Sequence, residues 1–205
     1  PGNGFNDQGE VCIKTRLAAD LVGATKMDRP EDIQTNPVNG KVYAVMTNNT
    51  QRGTSGKAPV DAANPRVENR HGHIIELSPA GGDHASTTFE WGLFLVCGDP
   101  AVDKGTYFGG FDPALVSPIS SPDNIAFDNA GNLWISTDGQ TNTFKRNDGV
   151  YAVPVEGPER GFVRQFFSGV PGGETAALIL SDTNDTLFVS IQHPAEGSTL
   201  DKPSS

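Results

Sequence analysis

A chain of 205 residues that is 36% hydrophobic has enough apolar material for one ordinary core, which excludes a disordered polymer. Its 24 glycines and 15 prolines are scattered without a triplet period, which excludes collagen and favours short strands and tight turns over long helices. The formal charge of −10, from 25 acids against 15 bases, argues against a nucleic-acid partner; the excess carboxylates serve solubility or hold hard cations.

Residues 10–15 read as a first short strand and residues 17–22 as a turn or two of helix. Residues 32–35 and 41–46 make the first clear strand pair, with a turn at Asn39-Gly40. Residues 51–70 form an insertion rich in Pro, Gly, Ser and charge, including Pro59 and Pro65, and read as a long ordered loop. Strands follow at 73–77 and 90–96. A second pair spans 125–127 and 132–136 around a turn at 128–131, with further strands at 151–155 and 161–167. A third pair spans 176–180 and 186–191 around Asn184. Tyr43, Val45, Leu133, Ile135, Leu187 and Val189 alternate with smaller or polar neighbours, the two-residue period of a strand.

The three pairs are copies of one pattern: RPEDIQTNPVNGKVYAVMTNN from Arg29, SPDNIAFDNAGNLWISTDGQ from Ser121 and GGETAALILSDTNDTLFVSIQHP from Gly172. Glu31 and Asp123 lie 92 residues apart, and Asp123 and Glu174 lie 51 apart. A four-stranded propeller blade needs about 40 to 50 residues, so the first interval has room for two blades. The expectation is an all-β fold: a partial β-propeller domain over residues 1–205, with about four blade equivalents and an insertion near 51–70. A propeller closes its ring, so this chain reads as an incomplete part of a larger one; a self-contained small propeller is the alternative. No apolar run reaches the roughly 18 residues of a membrane-spanning helix. Cys12 and Cys97 form no CxxC pair; their pairing stays open, and Cys97 beside the apolar run 93–96 reads as a buried thiol.

The repeat puts Glu31, Asp123 and Glu174 at one position, at the head of the strand that lines a propeller's channel. Converging carboxylates need a cation or protons, and calcium suits irregular oxygen ligation; capping of strand starts is the plainer reading. Asn124, Asn48, Asn49, Asp138, His193 and Glu196 are further candidates at the strand ends. Arg29 stands two residues before Glu31, on the same face of an extended strand, and its guanidinium matches two phosphate oxygens. Its alternative is a salt bridge to Asp28 or Glu31. Arg66 and Arg70 come from the insertion and are candidates for the same mouth. His71 and His73 form an HxH pair, for which a structural role is the simpler reading. HExxH, GxxxxGK[ST] and GxSxG motifs are absent.

The stretches LAADLVGATKMDRPEDI, VYAVMTNN, DAANPRVENRHGHIIEL, GGDHASTTFEWGLFLVCG, SPDNIAFDNAGNLWISTDG and LFVSIQHPAEG resemble the PhoX alkaline phosphatases across nearly the whole chain. The resemblance implies a bacterial periplasmic or secreted phosphomonoesterase on a β-propeller, with a cluster of calcium and ferric iron. It implies that Arg29 is catalytic and meets phosphate, and that Glu31, Asp123, Asn124 and Glu174 serve the metals; the strand-end positions add Asn48 toward phosphate and Asp138 toward the metals. The family's iron ligands lie upstream of the matched region. Missing N-terminal blades or a second polypeptide would then complete the site, and the isolated chain is expected to be inactive. A calcium-stabilised binding module and a calcium-dependent lactonase-like hydrolase remain the competing readings.

Overall fold

The computed structural model describes residues 4–194 and 199. Two helices come first, α1 (Gln8–Ile13) and α2 (Thr15–Leu21). The strand expected at 10–15 is therefore helical, for a local reason. The Asp7 carboxylate caps α1 by accepting the Glu10 N–H at 2.8 Å, while Glu10 reaches back to the Asn6 N–H and forward to Lys14. Neither helix buries a residue.

The rest is all-β. Strands β1 (Pro30–Thr35), β2 (Val42–Met46), β3 (His73–Pro79), β4 (Phe89–Val96) and β5 (Tyr107–Phe108) form one sheet in sequence order. Strands β6 (Pro122–Phe127), β7 (Leu133–Thr137), β8 (Gly149–Val153) and β9 (Arg164–Ser168) form a second, with helix α3 (Gln140–Thr143) after β7. Strands β10 (Glu174–Leu180) and β11 (Leu187–Gln192) pair alone. Every pairing is antiparallel, giving the up-and-down meanders of propeller blades. The 92-residue interval from Glu31 to Asp123 thus carries one five-stranded sheet, stretched by the long connections after β2 and β5.

The first strands of the three sheets lie side by side, β1 against β6 and β6 against β10. Between the sheets lies a core of Tyr43, Phe94, Leu95, Ile125, Ile135 and Tyr151. Burying each such side chain contributes about 1.5–3 kcal/mol. Tyr43 meets Phe94 edge-on at 5.5 Å and donates its hydroxyl to Glu76 at 2.5 Å. Glu76 also accepts from Lys41 and Arg160, which ties the first sheet to the β8–β9 connection. Cys97 is buried in this core and Cys12 is exposed, both as free thiols. Burial pushes the Cys97 pKa up to about 12, so the thiol stays protonated.

Each of the three repeated pairs carries a one-residue bulge at its head. In β1/β2 the ladder runs to Ile33–Ala44 and resumes at Pro30–Met46, so Glu31 and Asp32 together oppose one residue. In β6/β7 it breaks between Ile125–Ile135 and Pro122–Thr137, which puts Asp123 and Asn124 in the bulge. In β10/β11 the break lies between Leu178–Val189 and Thr175–Ile191, and the bulged pair is Ala176 and Ala177. Glu31 and Asp123 therefore share a register position. Glu174 does not: it stands where Arg29 and Ser121 stand, two places earlier. Register follows the ladder and its bulge, not the first acid after a turn.

Candidate functional site

A bulge disturbs the regular pleat, and here it carries Glu31 and Asp123 at matching places of neighbouring sheets. The two bulges are fastened together. Asp32, beside Glu31, accepts the Ile125 N–H at 2.9 Å through Oδ2 and its own neighbour's N–H, that of Ile33, through Oδ1. Asn124 is pinned by Ser136, whose Oγ accepts its N–H and donates to its carbonyl.

Arg29 precedes β1 with φ +55°, a left-handed conformation uncommon for a residue with a Cβ. The extended geometry expected for it is absent, yet it still reaches Glu31. Its Nε donates to Glu31 Oε1 at 3.0 Å and its Nη2 to Asp138 Oδ2 at 3.2 Å. Of the two partners weighed for Arg29, Glu31 is thus the one engaged, while Asp28 pairs elsewhere. Burial alone would lower the pKa of Arg29, but Asp138 and Glu31 outweigh it and hold the guanidinium charged. Ser121, in the matching place before β6, has φ +54°, and its carbonyl accepts the Asp138 N–H at 2.9 Å. The same backbone form thus sets Arg29 on one side and Asp138 on the other.

Glu31, Asp123, Asp138 and Glu174 lie within electrostatic reach of one another, with Arg29 as their cationic neighbour. Burial, then Glu31, Asp138 and Glu174, raise the Asp123 pKa to about 7. Glu174 is raised by burial and then by Asp138, and Gln192 donates to it at 3.3 Å. Among the described residues, no group of three or more His, Cys, Asp or Glu stands in a ready-made metal-binding arrangement. The donor chemistry nevertheless suits a hard cation: all these side chains offer oxygen, and their mutual repulsion is what a cation relieves.

Beside the carboxylates opens a cavity of about 520 Å³, lined by Arg29, Asn48, Arg70, His71, Ser121 and Asp138, with Asn142 and Thr143 from α3. Arg29 and Arg70 give this wall its positive charge. His71 is fixed by Ser120, whose Oγ lies 2.9 Å from Nδ1, and stacks on Phe144 at 5.1 Å. Burial lowers its pKa, and Arg66 lowers it further. His73 is not its partner, because Gly72 between them has φ +74° and turns the chain. A Cβ on Gly72 would lie 2.3 Å from two backbone oxygens, so the turn requires glycine. His73 is buried, hydrogen-bonded through Nδ1 with Asn69, and burial depresses its pKa to about 4.

Several expected contributors have other partners. Asn49 donates to Asp28 at 2.9 Å. Arg66 is occupied by the carbonyls of Cys97 and Gly72 and by Asn69 and Asp103. His193 sits beside Gln192 and close to Glu174. Glu196 lies outside the described residues. His71, Ser121 and α3 were not marked as site residues by the sequence; the HxH pattern was the available signal for His71 and the serine that opens SPDN for Ser121. Also unmarked was a buried ion pair directly behind Arg29, between Asp28 and Arg52 at 2.7 Å.

The family model of alkaline phosphatase PhoX matches residues 1–195. A solved structure, described as Pseudomonas fluorescens PhoX in complex with vanadate, a transition state analogue, is 42% identical and superposes with a TM-score of 0.82. The match covers 97% of this chain and 35% of that one, so the chain spans about a third of that protein's length. No curated protein matches the sequence. A family match across most of the chain, joined to a fold agreement at this identity, leads to one conclusion: the chain belongs to the PhoX alkaline phosphatase family.

Proposed function

We propose that this chain provides the phosphate-gripping wall of a metal-assisted phosphomonoesterase, a reading that extends to the activity of the whole protein. The observation that supports it most is Arg29, held between Glu31 and Asp138 at the edge of a cavity backed by carboxylates. A guanidinium has five N–H donors, and these two contacts leave Nη1 for phosphate oxygens. Glu31 and Asp138 fix the plane of that group before substrate arrives, so little reorganisation is needed as charge moves onto the oxygens. Asn48 adds a neutral donor to the same cavity.

Glu31, Asp123, Asn124, Asp138 and Glu174 are the residues that would hold a hard cation such as calcium. A bound cation supplies Lewis-acid charge to the phosphate oxygens and the leaving oxygen. Ferric iron, which the family resemblance implies, is also served by oxygen donors, and Cys97 stays protonated in the core. Asp123 gives up its proton when a cation enters, so binding weakens below about pH 7. A periplasmic or extracellular setting belongs to the same reading.

The test is release of inorganic phosphate from an aryl phosphate monoester by the intact protein. Turnover that disappears on chelation and returns with calcium is the expected result. Turnover of lactones without phosphate release would sink the phosphatase reading. Calcium binding without either turnover would leave a binding module.

A further inference from the structure

The residue directly before Arg29 is held from the interior. Asp28 is 0% exposed and Arg52 is 1% exposed, and they form an ion pair out of reach of solvent. Both oxygens of Asp28 are engaged: Oδ1 accepts from Arg52 Nε at 2.7 Å and Asn49 Nδ2 at 2.9 Å, and Oδ2 accepts from Asn69 Nδ2 at 3.0 Å. Every side-chain nitrogen of Arg52 is engaged as well. Its Nη1 donates to the Pro59 carbonyl at 2.8 Å and its Nη2 to the Lys26 carbonyl. Arg52, Asn49 and Asn69 all belong to the connection between β2 and β3, which also supplies the cavity residues Asn48, Thr50, Arg70 and His71. One buried ion pair therefore anchors both the residue before Arg29 and the connection that supplies these cavity residues.

We propose that Arg52 is a positioning residue for phosphate binding, acting through Asp28 on Arg29 and on the β2–β3 connection. The inference rests on the reading of Arg29 as the phosphate ligand. A lysine at position 52 keeps the charge but has a single ammonium in place of the fork that meets Asp28, Lys26 and Pro59 together. It is expected to leave the fold in place and let the loop and Arg29 drift.

The experiment measures the Kd of inorganic phosphate by calorimetry, kcat/KM for an aryl phosphate, metal content and Tm, in the intact calcium-loaded protein. Arg52→Lys is expected to raise the phosphate Kd roughly tenfold and lower kcat/KM in step, with metal content unchanged. Arg160→Lys is the control. It disturbs another partly buried arginine, bonded to Glu76 away from the cavity, and should lower Tm without moving the phosphate Kd. Because Arg52 acts through Arg29, adding Arg52→Lys to Arg29→Ala should weaken phosphate binding by much less than it does alone. If Arg52→Lys fails to fold, Asn49→Ala removes one bond to Asp28 and should raise the Kd about threefold. A lowered Tm with an unchanged phosphate Kd in these variants, or full additivity in the double variant, overturns the positioning role. An unchanged phosphate Kd in Arg29→Ala overturns the functional reading itself, and the inference falls with it.

Discussion

Two charged clusters flank Arg29 and differ in their balance. Behind it, Asp28 and Arg52 balance one another, buried and with a partner at every side-chain oxygen and nitrogen. In front, Glu31, Asp123, Asp138 and Glu174 lie near the Arg29 guanidinium, and burial together with its acidic neighbours raises the Asp123 pKa to about 7. A balanced cluster needs nothing further and holds the chain in place. An unbalanced one is stable only with protons or a cation, which is the condition a binding site exploits. Neighbours in sequence thus divide into a support and a site, and substitutions on the two sides should fail in different ways.

The largest effect is expected on the support side. Arg52→Ala strands the buried Asp28 carboxylate and should destabilise the protein by about 3–5 kcal/mol, read from chemical denaturation. On the site side, Arg29→Ala should lower phosphate-monoester turnover by roughly 100- to 1,000-fold while Tm changes little, checked by steady-state kinetics beside a melting curve. A large loss of stability in Arg29→Ala with normal turnover would reverse the division.

The smallest effects concern pH, and they have opposite signs. Asp123 has a folded pKa near 7, above its unfolded value of about 4. Its contribution is therefore complete below about pH 4 and is lost as pH rises through 7. Metal-free protein should lose stability over that window, and Asp123→Asn should flatten the slope. His73, in the support, has a folded pKa of about 4, below an unfolded value of about 6.5. Its contribution is present above about pH 6.5 and disappears as pH falls through 4. His73→Gln should flatten that acid limb. Melting curves from pH 4 to 9 on metal-free wild type and both variants separate the two. Identical profiles would show that neither group titrates as described.

The alternating residues of β2 and β7 and their Asn, Asp and Gly turns made those strand pairs legible, because a period of two and a tight turn are local properties. The helix at Gln8–Ile13 was missed although its capping pair, Asp7 and Glu10, stands in plain order; the later strand pattern had suggested more of the same. The two-residue strand β5 is too short to have any pattern. Glu31 and Asp123 fall at one register position, whereas Glu174 was assigned two places out: the three bulges match, but the third holds Ala176 at that position, and the first acid after the turn is no guide to register. Arg52 looked like loop charge. Its partners, Asp28 and the Lys26 carbonyl, lie more than twenty residues upstream, and only the folded chain shows that it is buried.

The central claim is that the carboxylates in front of Arg29 need a cation before that arginine can hold phosphate. Calorimetric titration of inorganic phosphate into the protein at pH 8, first metal-free and then loaded with calcium, tests it directly. Phosphate should bind to the calcium-loaded protein and bind at least tenfold more weakly without it. Equal affinity in both states would contradict the account.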